Sequence, residues 1–365
     1  MQLRPTDMRI PVHKPVLPAN PRPICILGAG SIMRDAHLPA YKLAGFPVHS
    51  ITDIKREAAE TLAAQWGISR ASESLDTMLA EAPANAVFDL ALPPNHFAGA
   101  LRRLPEGAPV LLQKPMGETM EQAQEILAIC KERRLVAAVN LQLRFAPFVI
   151  AAASLIQEGM IGDLRDIEIR VTSHTPWDHF PFLKKAPRFE LLYHSVHHID
   201  CVRHFLGTPA RIHAKTMRYP ELDMSESRSA LILDYGDAVR ANIQTNHFHR
   251  FGTRHQESYI KWEGTQGAIF AKMGLLMNYP LGVPDEFEVC TFQEGKPVWE
   301  TIPLEGSWFP HAFIGSMAQV MRAADGDSHA LVTPVEDSIH TMACLEAAYE
   351  SSDSGGCDPA KFITP

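Results

Sequence analysis

From Ile24 to Val139, short apolar runs alternate with longer stretches in which apolar residues recur every three or four positions. The runs are Ile24–Leu27, Val48–Ile51, Ala86–Leu90, Pro109–Leu112 and Leu135–Val139, and unbroken apolar runs of this length suit strands buried on both faces. The stretches between them, among them His37–Ala44, Lys55–Trp66 and Thr119–Arg133, suit amphipathic helices. That alternation predicts an α/β domain on a parallel, doubly wound sheet. Past residue 143 the rhythm changes. Pro147–Glu158 and Leu191–Leu206 read as helices and Asp166–Ser173 as a strand; then strand follows strand from Arg211 to Ile302, and two helices close the chain. Sequential strands joined by short turns predict a separate α+β domain with a large, mostly antiparallel open sheet. The expected division is an arm over 1–22, a first domain over 23–142 and a second over 143–365, whose last helices have the option of packing back on the first.

Ligands of a doubly wound sheet bind at the carboxyl ends of its strands, and four unusual loops fall there. The first strand ends in Gly28-Ala29-Gly30 and turns helical. Gly28 permits the sharp turn, Gly30 admits a diphosphate close to the backbone, and the N–H groups of Ser31 and Ile32 face the anion from the positive end of the helix. Asp53, about 20 residues on at the tip of the second strand, is placed to accept both ribose hydroxyls of an adenosine. Met33 stands where a third glycine or an alanine would allow the closest helix–strand packing. A glycine turn alone is weak evidence; the strand before it, the helix after it and Asp53 together favour a dinucleotide. The same edge collects Leu92-Pro93-Pro94-Asn95-His96 and Gln113-Lys114-Pro115, so Leu92, Pro93, Asn95, His96 and Gln113 join the expected contacts. Most lysines are solvated. Lys114, however, directly follows a buried strand and is pinned by Pro115, so its ammonium is placed to hydrogen-bond a substrate hydroxyl and to stabilise charge developing on that oxygen. The Lys114–Pro115 bond is a candidate for the cis isomer.

In the Leu191–Leu206 helix, at about 100° per residue, Leu191, Leu192, Val196, Ile199, Val202, Phe205 and Leu206 form one stripe. Tyr193, His197, Asp200 and His204 gather opposite. Such a face is either solvated or turned into a cleft. His194 and His198 are spaced four apart, but no glutamate follows the first histidine and no third ligand is evident, so no metal is expected and His194 reads better as a substrate contact. The segment 174–190 is irregular, aromatic and basic, and suits a lid or substrate loop.

Hydrophobic residues make up 46% and charged residues 21% of the 365, enough to bury a large core. A formal charge of -8 argues against nucleic acid as partner, and no run reaches the length of a membrane span. Met1–Arg22, with five prolines and no apolar h-region, reads as an extended arm, disordered or laid on a neighbour, and not as a secretory signal. Six scattered cysteines without a C-x-x-C spacing suit free buried thiols in a reducing cytoplasm.

The segments ILGAGSIM with Asp53, LPPNH, VLLQKPMGETMEQAQEI, VNLQLRFAP and YHSVHHIDCVRHFLG resemble the glucose–fructose oxidoreductase / inositol dehydrogenase / rhizopine-catabolism (Gfo/Idh/MocA) family. The resemblance implies a Rossmann domain binding NAD, with NADP possible, followed by a substrate and oligomerisation domain. It implies hydride transfer between the nicotinamide and a secondary alcohol of a sugar, polyol or related carbohydrate. At the lysine the family has Glu-Lys-Pro, and here Gln113 replaces the glutamate near the nicotinamide ribose. His197 and Asp200 match its His-x-x-Asp; Tyr193 stands where the family often has aspartate, which leaves the base to be chosen between His197 and Tyr193. His197 is the better proton acceptor, since an ordinary imidazole titrates near 6.5 and a phenol near 10. The resemblance further implies substrate contacts at Arg144, His174 and Trp177. An open antiparallel sheet commonly hides its outer face, so a homodimer or homotetramer through the second sheet is expected. Two other readings stay open, a non-catalytic dinucleotide-binding regulator and an NAD-dependent redox-neutral glycosidase.

Overall fold

The computed structural model describes residues 10–177 and 181–356. Five parallel strands, β1 (Ile24–Leu27), β2 (Val48–Thr52), β3 (Val87–Leu90), β4 (Pro109–Leu112) and β5 (Val136–Val139), form the first sheet in the order β2-β1-β3-β4-β5. The helices α1 (Leu38–Ala44), α2 (Arg56–Trp66), α3 (Leu75–Glu81), α4 (Phe97–Leu101) and α5 (Met120–Glu132) link its strands. The order reverses between β1 and β3, the point where an open α/β sheet offers a crevice. Asp89 is the one polar residue inside these otherwise apolar tracts of β1, β3, β4 and β5, and it is fully buried.

The second sheet has eight strands: β6 (Leu164–Thr172), β7 (Arg211–Met217), β8 (Arg228–Asp234), β9 (Arg240–Asn246), β10 (Glu257–Gly264), β11 (Gly267–Lys272), β12 (Glu286–Gln293) and β13 (Lys296–Thr301). All neighbours are antiparallel except β6 and β9. Alternation is clean in β6, where Ile167, Ile169 and Val171 turn inward. They share one core with α6 (Pro147–Gln157) and with α8 (Val196–Leu206), which follows the short α7 (Pro181–Lys184). Two helices close the chain, α9 (His311–Ala324) and α10 (Val335–Ser354). α9 covers a face of the first sheet, its Phe313, Met317 and Met321 packing with Ile24, Ile26 and Leu111. Val139 N donates to Thr333 O at 2.9 Å, fastening the approach to α10 against β5. No described helix is long and apolar enough to cross a membrane.

Two segments differ from the sequence reading. The helix expected from Leu191 begins as a π-helical turn, Glu190–Ser195, and becomes α8 only at Val196. A wider turn breaks the 100° spacing over that stretch. Asp200 and His197 are both buried rather than exposed on one polar face. In the arm, residues 10–22 lie on their own chain: Arg22 donates to Asp325 Oδ1 at 2.8 Å and to Ala324 O at 2.9 Å, and Lys14 pairs with Glu305. Residues 1–9 and 178–180, parts of the arm and of the expected lid, lie outside the described residues.

Candidate active site

The glycine turn explains itself sterically. Gly28 has φ 108°, and a Cβ there would stand 2.4 Å from Ala91 O, so the crossing of the β1 and β3 loops admits no side chain. A Cβ on Gly30 would meet nothing within 4 Å: the space over the start of the helix is open. Met33, in the third glycine's place, is fully buried and opens a π-helical turn, Met33–His37, which widens the helix where a bulky side chain enters the helix–strand gap. Asp53 ties the second strand's tip to the turn, accepting from Ala29 N at 2.7 Å and Lys55 N at 2.8 Å. Each carboxylate oxygen keeps a further lone pair for a hydroxyl. Asn95 and His96 stand exposed in a short 3-10 turn beside buried Pro94, with Leu92 half-buried before them. An open cradle, helix N–H groups and an acidic tip fit a diphosphate and its adenosine ribose.

Lys114 meets the helix wall. The Lys114–Pro115 bond is cis, and Lys114 Nζ donates to Tyr193 O at 2.6 Å, a main-chain carbonyl of the π-helical turn. Burial brings this ammonium from 10.5 down to about 8. The Tyr193 hydroxyl donates to Glu118 Oε1 at 3.0 Å, and burial followed by that carboxylate pushes its pKa up. His197 is 6% exposed, its ring packs edge-on to Trp308 at 5.9 Å, and its Nδ1 is buried without a hydrogen-bond partner among the described residues. Burial, then the charge of Lys114 and the neighbouring His198, hold its pKa well below 6.5. His197 is therefore a neutral imidazole beside a cation, and Tyr193 a phenol held protonated.

Of the expected substrate contacts, Arg144 is committed elsewhere. Arg144 is 7% exposed and its guanidinium is fully engaged: Nε and Nη2 clasp Asp200 at 2.7 and 2.6 Å, Nη2 reaches Asp337 at 2.8 Å and Nη1 reaches Val332 O at 2.8 Å. It locks α8 to the approach and first turn of α10, and Asp200 is the buried partner of that lock. Trp177, 5% exposed, packs against Phe189, His194 and His247. His174 is exposed at the end of β6, its ring tilted against Phe248. His194 is half-buried, its ring 4.3 Å from that of His247, and burial keeps it well below 6.5. Sequence reasoning missed Glu118, Trp308 and Asn140. Asn140 carried a signal: like Gln113, it is a polar residue placed directly after a buried strand.

Residues 23–141 match the family model described as "Oxidoreductase family, NAD-binding Rossmann fold", and 153–362 the one described as "Oxidoreductase family, C-terminal alpha/beta domain". The chain is 23% identical over 323 residues to D-apiose dehydrogenase of Rhizobium rhizogenes, covering 85% of this chain and 89% of that one. It is 23% identical over 272 residues to scyllo-inositol 2-dehydrogenase (NADP(+)) of Bacillus subtilis, covering 70% and 74%. Among solved structures, levoglucosan dehydrogenase in complex with NADH and levoglucosan superposes with a TM-score of 0.75 at 20% identity, covering 92% of this chain and 98% of that one.

Proposed function

This chain belongs to the Gfo/Idh/MocA oxidoreductase family, and from that premise we propose that it is an NAD(P)-dependent dehydrogenase acting on a secondary alcohol of a sugar, polyol or related carbohydrate. The approach of His197 to Lys114, at the sheet edge that also carries the Gly30 turn, supports this reading. A bound nicotinamide supplies the hydride acceptor; the residues handle the proton. Lys114 donates to the hydroxyl oxygen of the substrate and stabilises it as it becomes negative. His197, neutral through the physiological range, takes the hydroxyl proton. Tyr193, its hydroxyl committed to Glu118, lines the cleft and presents its carbonyl to Lys114.

Asp53 favours NAD by repelling a 2′-phosphate. Arg56, directly after Lys55 at the start of α2, is engaged with Glu60 at 2.7 Å and Glu73 at 2.9 Å, which leaves it a poor phosphate partner. A homo-oligomer through the eight-stranded sheet is in keeping with Ile232, Phe292 and Trp299, large apolar side chains exposed on its strands. Five described cysteines are free and buried, in keeping with a reducing cytoplasm. The test is a carbohydrate panel with NAD or NADP, followed by the rise of reduced-cofactor absorbance. Tight cofactor binding with no turnover across a broad panel would instead favour a regulator.

A further inference from the structure

A chain of buried polar groups runs beneath the carboxyl edge of the first sheet and ends at Gln113. Asp89 Oδ2 accepts from the Tyr41 hydroxyl and lies 2.8 Å from His37 Nδ1. His37 Nε2 lies 3.2 Å from Asn140 Nδ2, and the same amide nitrogen donates to Gln113 Oε1 at 2.7 Å. Asp89, His37 and Asn140 are 0% exposed and Gln113 8%. The chemistry at one end sets every direction. A carboxylate only accepts, so His37 carries its proton on Nδ1 and offers Nε2 as an acceptor. An amide nitrogen only donates, so Asn140 gives one N–H to His37 and the other to Gln113. Gln113 is thereby held by its oxygen, and its Nε2 hydrogen-bonds no described residue.

The sheet order says what lies opposite. Asp53 follows β2, the glycine turn follows β1, and Gln113 follows β4, three strand spacings or about 14 Å from β2. A dinucleotide with its adenosine at Asp53 and its diphosphate at Gly30 lays its other half toward β4. We propose that Asp89, His37 and Asn140 are positioning residues that fix the Gln113 amide as a hydrogen-bond donor to the nicotinamide half of the cofactor. A glutamate there would offer an acceptor and a charge instead. The proposal rests on the dinucleotide reading above.

A double-mutant cycle on the full chain tests it, with NADH affinity measured by calorimetry. Asn140→Ala should raise the Kd about three- to tenfold when Gln113 is present, the loss of one oriented neutral hydrogen bond. In a Gln113→Ala background the same substitution should change Kd by less than about twofold, because Asn140 reaches the cofactor only through Gln113. An equal loss in both backgrounds would overturn the proposal, since packing damage does not depend on Gln113. If Asn140→Ala does not fold, Asn140→Ser enters the same cycle. Nitrogen NMR of the His37 ring gives an independent readout: a proton on Nδ1 alone is expected, and a proton on Nε2 would reverse the chain and refute the donor assignment. Wild-type protein that binds no NADH would defeat the cofactor reading itself, while the His37 spectrum still decides the direction of the chain.

Discussion

The two walls of the cleft are made by different means. The sheet wall, Gly28 to Ile32, Asp53 and the Gln113–Lys114 loop, follows from topology: parallel strands end at one edge, and whatever residue follows each strand is delivered there. The helix wall, Tyr193 to His197, depends on a π-helical turn and on side-chain partners drawn from distant segments, Glu118 for Tyr193 and Trp308 for His197. On the first wall the backbone shapes an open turn; on the second, burial sets the chemistry by keeping imidazoles neutral and a phenol protonated. Strand order is a robust way to position a ligand, and a packed helix is a sensitive way to tune a proton acceptor.

Kinetics offers the largest contrast between the walls. His197→Ala removes the proton acceptor and should lower kcat by 10²–10⁴-fold, the usual worth of a general base. Lys114→Ala should cost about 10²–10³-fold in kcat with little change in NAD affinity, as for a lost oxyanion donor. Tyr193→Phe, which deletes a hydroxyl already committed to Glu118, should stay within about tenfold. A dead Tyr193→Phe beside an active His197→Ala would move the base to Tyr193. Lys114 is a cation below pH 8, so wild-type turnover should decline as pH rises through about 8. Lys114→Arg, charged at every accessible pH, should lose that alkaline limb while running at a lower plateau.

Acid stability probes the helix wall alone. Burial holds His198 at about 4, and both its ring nitrogens lack partners among the described residues. An unfolded chain protonates histidine near 6.5, so between about pH 6.5 and 4 the unfolded state binds more protons and stability falls as pH falls. Above 6.5 this contribution is absent. The penalty from His198 alone is on the order of 3 kcal/mol by pH 4. His198→Leu should therefore narrow the loss of Tm on acidification, and a variant as acid-sensitive as wild type would show that the helix wall is wetter than its packing implies.

The contrast also explains what could be read in advance. All five strands of the first sheet are visible as apolar runs, to within a residue or two, because burial on both faces forces an unbroken pattern. That the residues after β1, β2 and β4 lie at one edge was legible for the same reason, since position after a strand is a one-dimensional property. Arg144 was misread because its partners, Asp200 and Asp337, lie 56 and 193 residues away. The π-helical turn at Glu190–Ser195 has no periodicity of its own at that length, so an angular reading runs across it unnoticed. Asp89 was readable: a carboxylate inside Val-Phe-Asp-Leu needs buried partners, and His37 and Tyr41 provide them.

Cofactor choice tests the sheet wall at its outer end. Wild type should bind NAD more tightly than NADP. Asp53→Ala should weaken NAD about tenfold, the worth of a charge-assisted hydrogen bond, and weaken NADP less, so the preference narrows. Part of that loss comes from the turn, because Asp53 also holds Ala29 N and Lys55 N. Asp53→Asn keeps the size of the side chain and separates the two contributions. Tighter binding of NADP than NAD by wild type in calorimetry would refute the assignment of Asp53.

The smallest effect is expected from the arm, and it shows whether the sheet wall stands on its own topology. Among residues 10–22, Arg22 bonds the end of α9, the helix that covers a face of the first sheet, and Asn85 O just before β3, at the edge opposite the cradle. The pair of Lys14 with Glu305 joins two exposed side chains, and such pairs contribute at most about 1 kcal/mol. Arg22 is better held, with Asp325 and Ala324 O together on a mostly buried guanidinium. Deleting residues 1–21 keeps Arg22 and should leave NAD affinity within about twofold and Tm nearly unchanged. Deleting 1–22 removes those bonds as well and should lower Tm by a few degrees, the shift that about 1 kcal/mol produces in a chain of this size. Neither truncation reaches the carboxyl ends of β1, β2 or β4, so neither should alter kcat. A truncated chain that folds but no longer binds NAD would mean that the arm contributes to the cradle itself, and that strand order alone does not build this wall.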